Sequence, residues 1–78
     1  MWQIMSENEV LAIKVKADRK KKQESQIVFA ENCDISTKTL SKIENSTADP
    51  RLSTLQKLAA YTGETVSELL HTEMEEYI

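Results

Sequence analysis

Apolar residues recur along this chain at helical spacing, and the pattern predicts five helices. Ser6 and Glu9 have the S-x-x-E spacing of a capping box, in which each side chain satisfies a backbone donor of the other residue. They open a first helix over 7–22, with Val10, Leu11, Ala12, Ile13, Val15 and Ala17 crowding its first half. The basic run Arg19 to Lys22 suits the negative end of a helix dipole. Ser25 is placed to cap a second helix, in which Phe29, Ala30 and Cys33 share one face. Ile27 and Val28 point away from that face and are read as peripheral core in preference to a partner surface.

Asp34-Ile35-Ser36 leaves room only for a tight turn, so the helices on either side must cross steeply. Ser36 is a good N-cap, and Ile35 with Leu40 forms the pair of a hydrophobic staple. A third helix is predicted over 37–45. At about 100° per residue, Leu40 and Ile43 fall on one side, while Thr37, Lys38, Ser41, Lys42 and Asn45 form a polar stripe opposite that contains no acid. After the loop ending in Pro50, the residues Leu52, Leu55, Leu58 and Ala59 mark a fourth helix, which Gly63 is placed to end. Thr65 and Glu68 repeat the capping-box spacing before a fifth helix carrying Val66, Leu69, Leu70, Met74 and Tyr77.

Seventy-eight residues with 40% hydrophobic and 29% charged side chains, one Gly and one Pro fit a single all-α domain over 6–78, preceded by a short tail at 1–5. No apolar run approaches the roughly 20 residues that span a bilayer, and MWQIMSENE lacks the order of a secretory signal, so a cytoplasmic location is expected. One Cys and one His supply neither an internal disulfide nor a structural zinc site within the chain; no cofactor is expected. Cys33, beside Phe29, reads as an inert core thiol, His71 as helix surface and Trp2 as a tail residue. The net charge of −3 is unevenly spread: residues 14–57 hold all ten basic side chains and net +4, whereas 58–78 net −5. Such asymmetry suggests a middle that meets a polyanion, flanked by segments that avoid it, or else ordinary solvated helix surface.

The run Ser25-Gln26-x-x-Phe29-Ala30-x-x-x-Asp34-Ile35-Ser36-x-x-Thr39-Leu40-Ser41-x-Ile43-Glu44-Asn45 resembles the helix-turn-helix of the phage-repressor and Cro-type (Xre-like) regulators. Pro50-x-Leu52-x-x-Leu55-x-x-Leu58-Ala59, Gly63 and Leu69-Leu70 resemble that family's closing helices, so the likeness extends from Val15 to Leu70. It implies a compact five-helix domain whose third helix lies in the DNA major groove. Carried over by position, Thr37, Lys38 and Lys42 are implied base contacts with Ser41 beside them; lysine can donate to guanine O6 and N7, and threonine can meet several bases. Gln26 and Asn45 are implied phosphate contacts, to which Ser36 and Lys22 are added, with Lys20 and Lys21 supplying long-range attraction. Arg19 and Glu44 match a structural ion pair that would fix the recognition helix against the first helix. The chain departs from the family pattern at Asp34, where Gly is common, and at Asp18, where an apolar residue is usual.

The expected function is therefore a sequence-specific DNA-binding transcriptional regulator, most simply a repressor occupying an operator as a homodimer. Met74, Tyr77 and Ile78 prolong the apolar stripe and are expected to help the dimer. An antitoxin, or an accessory protein docking a partner through its acidic C-terminal helix, is the alternative. An enzyme is not expected: the sequence holds no metal cluster, Gly-rich phosphate loop or convincing Ser, His and acid set.

Overall fold

The computed structural model describes residues 6–71. Within them lie α1 (Glu7–Lys21), α2 (Gln26–Cys33), α3 (Thr37–Glu44), α4 (Leu52–Thr62) and α5 (Val66–Leu69), with no strand among the described residues. Local chemistry sets the helix starts. At α1 the Ser6 hydroxyl accepts from Glu9 N–H at 3.2 Å while Glu9 accepts from Ser6 N–H at 3.0 Å. Ser25 and Ser36 cap α2 and α3 through Val28 N–H at 3.2 Å and Thr39 N–H at 3.0 Å. Thr65 and Glu68 form the reciprocal pair at α5.

A left-handed residue follows each of the first four helices: Gln23 (φ 58°), Asp34 (φ 62°), Ser46 (φ 61°) and Gly63 (φ 81°). The sequence marked Asp34 and Gly63 for this role, since aspartate and glycine enter that region more easily than most residues. Gln23 and Ser46 carry no such mark.

The corners fold the helices around one apolar cluster of Leu11, Val15, Phe29, Ala30, Cys33, Leu40, Ile43, Leu55, Leu58 and Leu69. The α3 helix packs on both α1 and α2, and α4 packs on α1, α2 and α5. Phe29, fully buried, meets the Tyr61 ring edge-on at 4.9 Å, the favoured arrangement for two ring quadrupoles.

Three expectations require correction. Ile27 and Val28, read as peripheral core, are 64% and 45% exposed; α2 buries only Phe29, Ala30 and Cys33, and at about 100° per residue these two residues fall off that face. Leu52, read as marking the buried face of α4, is 63% exposed because it is the first residue of that helix and precedes its contact with the cluster. The fifth helix, expected to include Leu70, ends at Leu69 with Leu70 as its C-cap. Met74, Tyr77 and Ile78, with the dimer and partner-docking roles expected of the acidic C-terminal helix, lie outside the described residues, as does Trp2. No helix among the described residues is long and apolar enough to cross a membrane.

Candidate nucleic-acid interface

The polar stripe is built by what anchors its reverse side. Leu40 and Ile43 are buried at 0% and 2% exposure, which turns Thr37, Lys38, Lys42 and Asn45 outward; all four are exposed, and Ser41 beside them is half-buried. Neither Lys38 nor Lys42 has an ion-pair partner among the described residues, where the basic members of such pairs are Arg19, Lys22 and Lys57. Two unpaired ammonium groups one helical turn apart, flanked by hydroxyls and an amide, present donors with no acidic group beside them on the stripe.

Behind the stripe, Glu44 is buried at 4% exposure and bound from two sides. Arg19 Nε donates to Glu44 Oε2 at 2.7 Å and Arg19 Nη2 to Oε1 at 3.0 Å, a fork of two parallel bonds. Gln26 Nε2 adds a third donor to Oε1 at 3.1 Å. Burial pushes the Glu44 carboxyl up, but these hydrogen bonds and the charges of Arg19 and Lys16 outweigh it and hold its pKa below the ordinary carboxylate value. The hydrogen bond to Glu44 raises the Arg19 pKa, so the guanidinium keeps its charge wherever Glu44 is ionised. Arg19 also donates through Nη1 to the Glu24 carbonyl at 3.1 Å, which ties the α1–α2 corner to the same anchor.

The residues assigned to phosphate occupy different situations. Gln26, half-buried at the first position of α2, spends one amide hydrogen on Glu44 and keeps its carbonyl and second hydrogen for another partner. Asn45, the C-cap of α3, is exposed. The Ser36 hydroxyl is occupied locally, accepting from Thr39 N–H and donating to Thr39 Oγ1 at 2.8 Å, so its backbone N–H is the donor it can offer. Lys22 is held by Asp18 one turn earlier and lies 4.8 Å from the Tyr61 ring centroid, which places its charge over the α1–α4 side of the molecule. That contact also accounts for Asp18 at a position where an apolar residue is usual.

Two further groups escaped the sequence reading. Arg51 and Thr54 line, with Thr39, Lys42 and the Ala48-Asp49-Pro50 loop, a groove of about 320 Å³ beside the stripe. Arg51 is the N-cap of α4 and makes no side-chain capping bond, so the first N–H groups of that helix are left for an outside acceptor. The signal in the sequence was an arginine where a capping Ser, Thr, Asp or Asn would be ordinary. The second group is a polar clasp: Tyr61 O–H donates to the Glu24 carboxylate at 2.7 Å, and Asn32 Nδ2 donates to Glu24 at 2.9 Å and to Tyr61 at 3.2 Å. Three helices' worth of sequence separates its members, and no spacing rule joins them.

The chain matches the helix-turn-helix family model HTH_3 over residues 15–69. No curated protein sequence matches it significantly. Among solved structures it is similar to a hypothetical transcription factor, NHTF, from Neisseria, with a TM-score of 0.79 and 27% identity over 96% of this chain and 90% of that one. It is similar also to an HTH_3 family transcriptional regulator from Vibrio cholerae (TM-score 0.69, 26% identity, 80% of this chain and 35% of that one). A third similar structure is the competence regulator ComR from Streptococcus vestibularis (TM-score 0.71, 25% identity, 86% of this chain and 23% of that one). The chain thus spans most of the Neisseria protein but only about a third and a quarter of the other two.

Proposed function

From a chain that belongs to the HTH_3 helix-turn-helix family, and so is a DNA-binding transcriptional regulator, we propose a repressor that occupies an operator with α3 in the major groove. The observation that carries this reading is the exposed, acid-free stripe from Thr37 to Asn45, anchored from behind by Leu40, Ile43 and the Arg19–Glu44 fork. Thr37, Lys38 and Lys42 are assigned to base edges, with Ser41 beside them. Gln26, Asn45, the Ser36 N–H and the uncapped start of α4 with Arg51 are assigned to phosphate, setting register without reading sequence. Lys22, held by Asp18 and Tyr61, contributes its charge at longer range. One such motif offers few contacts, so a homodimer on two half-sites about 34 Å apart supplies the rest.

Selection of bound duplexes from a random pool, at stated salt and with Lys38→Ala and Lys42→Ala in parallel, tests the assignment. Loss of preference at particular base pairs, worth about 1–3 kcal/mol each, is expected for direct readout. Uniform weakening across all sequences would recast the lysines as phosphate contacts, and no duplex binding at low ionic strength would remove the reading altogether.

A further inference from the structure

A second basic surface lies on the outer side of α1. Ala12, Ile13 and Ala17 form the floor of a groove of about 410 Å³, with Lys16, Lys20, Glu9, Glu44 and Ser46 at its margins. Ile13 is 47% exposed there, an uncovered branched side chain in the middle of the helix. The two acids at the margin are already engaged, Glu9 with the start of its own helix and Glu44 with Arg19 and Gln26. Lys16 and Lys20 have no ion-pair partner among the described residues. The groove therefore offers an apolar floor and two lysines without an ion pair of their own, of which Lys16 lies near enough to Glu44 to act on its carboxylate.

The chain carries a segment of matching chemistry beside it. Thr72-Glu73-Met74-Glu75-Glu76-Tyr77-Ile78 combines three carboxylates with three large apolar side chains and has no basic residue. Its starting point is tethered to α1: Lys14, the neighbour of Ile13, donates to the Glu68 carbonyl, and the backbone N–H of His71 reaches that same carbonyl at 3.4 Å. Seven residues span at most about 25 Å, ample to run along the adjoining face of α1. We propose that residues 72–78 dock in cis on the Ile13–Ala17 groove, their carboxylates on Lys16 and Lys20, and that this contact shields a basic surface of α1 from DNA. The groove borders Glu44 and Ser46 at the foot of the recognition helix, so acidic side chains seated there lower the positive potential next to the interface. The docking stands on the groove and the segment alone; its effect on DNA rests on the function proposed above.

Amide NMR spectra of the full chain, of a variant ending at His71, and of full-length Glu73→Gln/Glu75→Gln/Glu76→Gln test the contact. Both variants are expected to shift the amides of Ile13, Lys16, Ala17 and Lys20 by the same amount at every protein concentration, and Lys16→Glu/Lys20→Glu to reproduce the shift in the full chain. Duplex binding by the two tail variants is expected to tighten about 3- to 10-fold at low salt, with the gain vanishing as salt rises. Unchanged α1 amides in the triple Gln variant would overturn the proposal. Shifts that appear only as protein concentration rises, with a matching change of mass in ultracentrifugation, would overturn it in favour of a second copy as occupant. Cis docking in a protein that binds no duplex in any form would uphold the contact and remove the DNA reading instead.

Discussion

At the scale of single residues, Glu44 carries more than its position on a short helix suggests. It is the buried acid on which Arg19, Gln26 and, at longer range, Lys16 converge. Removing it in Glu44→Ala leaves Arg19 without its partner and is expected to cost about 3–5 kcal/mol in urea unfolding, a large part of the stability of a small domain. The depressed pKa also fixes the direction of the pH effect. Because Glu44 titrates lower in the folded chain than its ordinary 4.5, the stability it contributes is fully present above about pH 4.5 and is lost as pH falls through the folded value. Glu44→Gln is expected to flatten that portion of the acid-unfolding profile. The Arg19–Glu44 pairing was visible in the sequence only through family resemblance. Gln26 as the third member was not visible at all, since its hydrogen bond depends on where α2 lies against the end of α3.

At the scale of elements, caps and corners divide cleanly into what local chemistry announces and what it does not. Ser6, Ser25, Ser36 and Thr65 begin their helices where the sequence places them, because a cap is a bond between residues three apart. The corners at Gln23 and Ser46 adopt φ of 58° and 61° with side chains that gain nothing from it, and the backbone closes each helix end there through Glu24 N–H to the Arg19 carbonyl at 3.1 Å and Thr47 N–H to the Lys42 carbonyl at 3.0 Å. Gln23→Gly is therefore expected to stabilise by about 0.5–1 kcal/mol, whereas Gly63→Ala, at φ 81° with open space around it, should destabilise by about 1 kcal/mol through backbone strain alone. Thermal unfolding of both variants checks the pair. The wheel of α3 separated buried from exposed positions correctly because the helix presses one face on the core; α2 was misjudged at Ile27 and Val28 because apolar character does not reveal how wide the covering surface is. Ile27→Ser should accordingly change stability by less than about 0.5 kcal/mol, against roughly 2–5 kcal/mol for Leu40→Ala.

At the scale of the whole molecule, the net charge of −3 gives the wrong impression of its encounter with DNA. Duplex binding is expected to weaken by more than about tenfold between 50 and 200 mM salt, as counterion release by the cationic middle requires, and Lys42→Ala should reduce the salt slope by about one only if that lysine meets a phosphate. The Tyr61–Glu24–Asn32 clasp holds the α1–α2 corner against α4, and Tyr61→Phe is expected to loosen it at a cost of about 1 kcal/mol without altering base preference. By itself the sequence determined the five helices, the capped starts of four of them, and the polar stripe with its apolar anchor, because each follows from side-chain chemistry repeated within one or two helical turns. Tertiary structure alone decided the three-way bond at Glu44, the clasp at Tyr61, the exposure of Ile27, Val28 and Leu52, and the groove over Ile13. Those features depend on which surfaces meet across distant parts of the chain, and the direction in which one helix crosses another is not written in the periodicity of either.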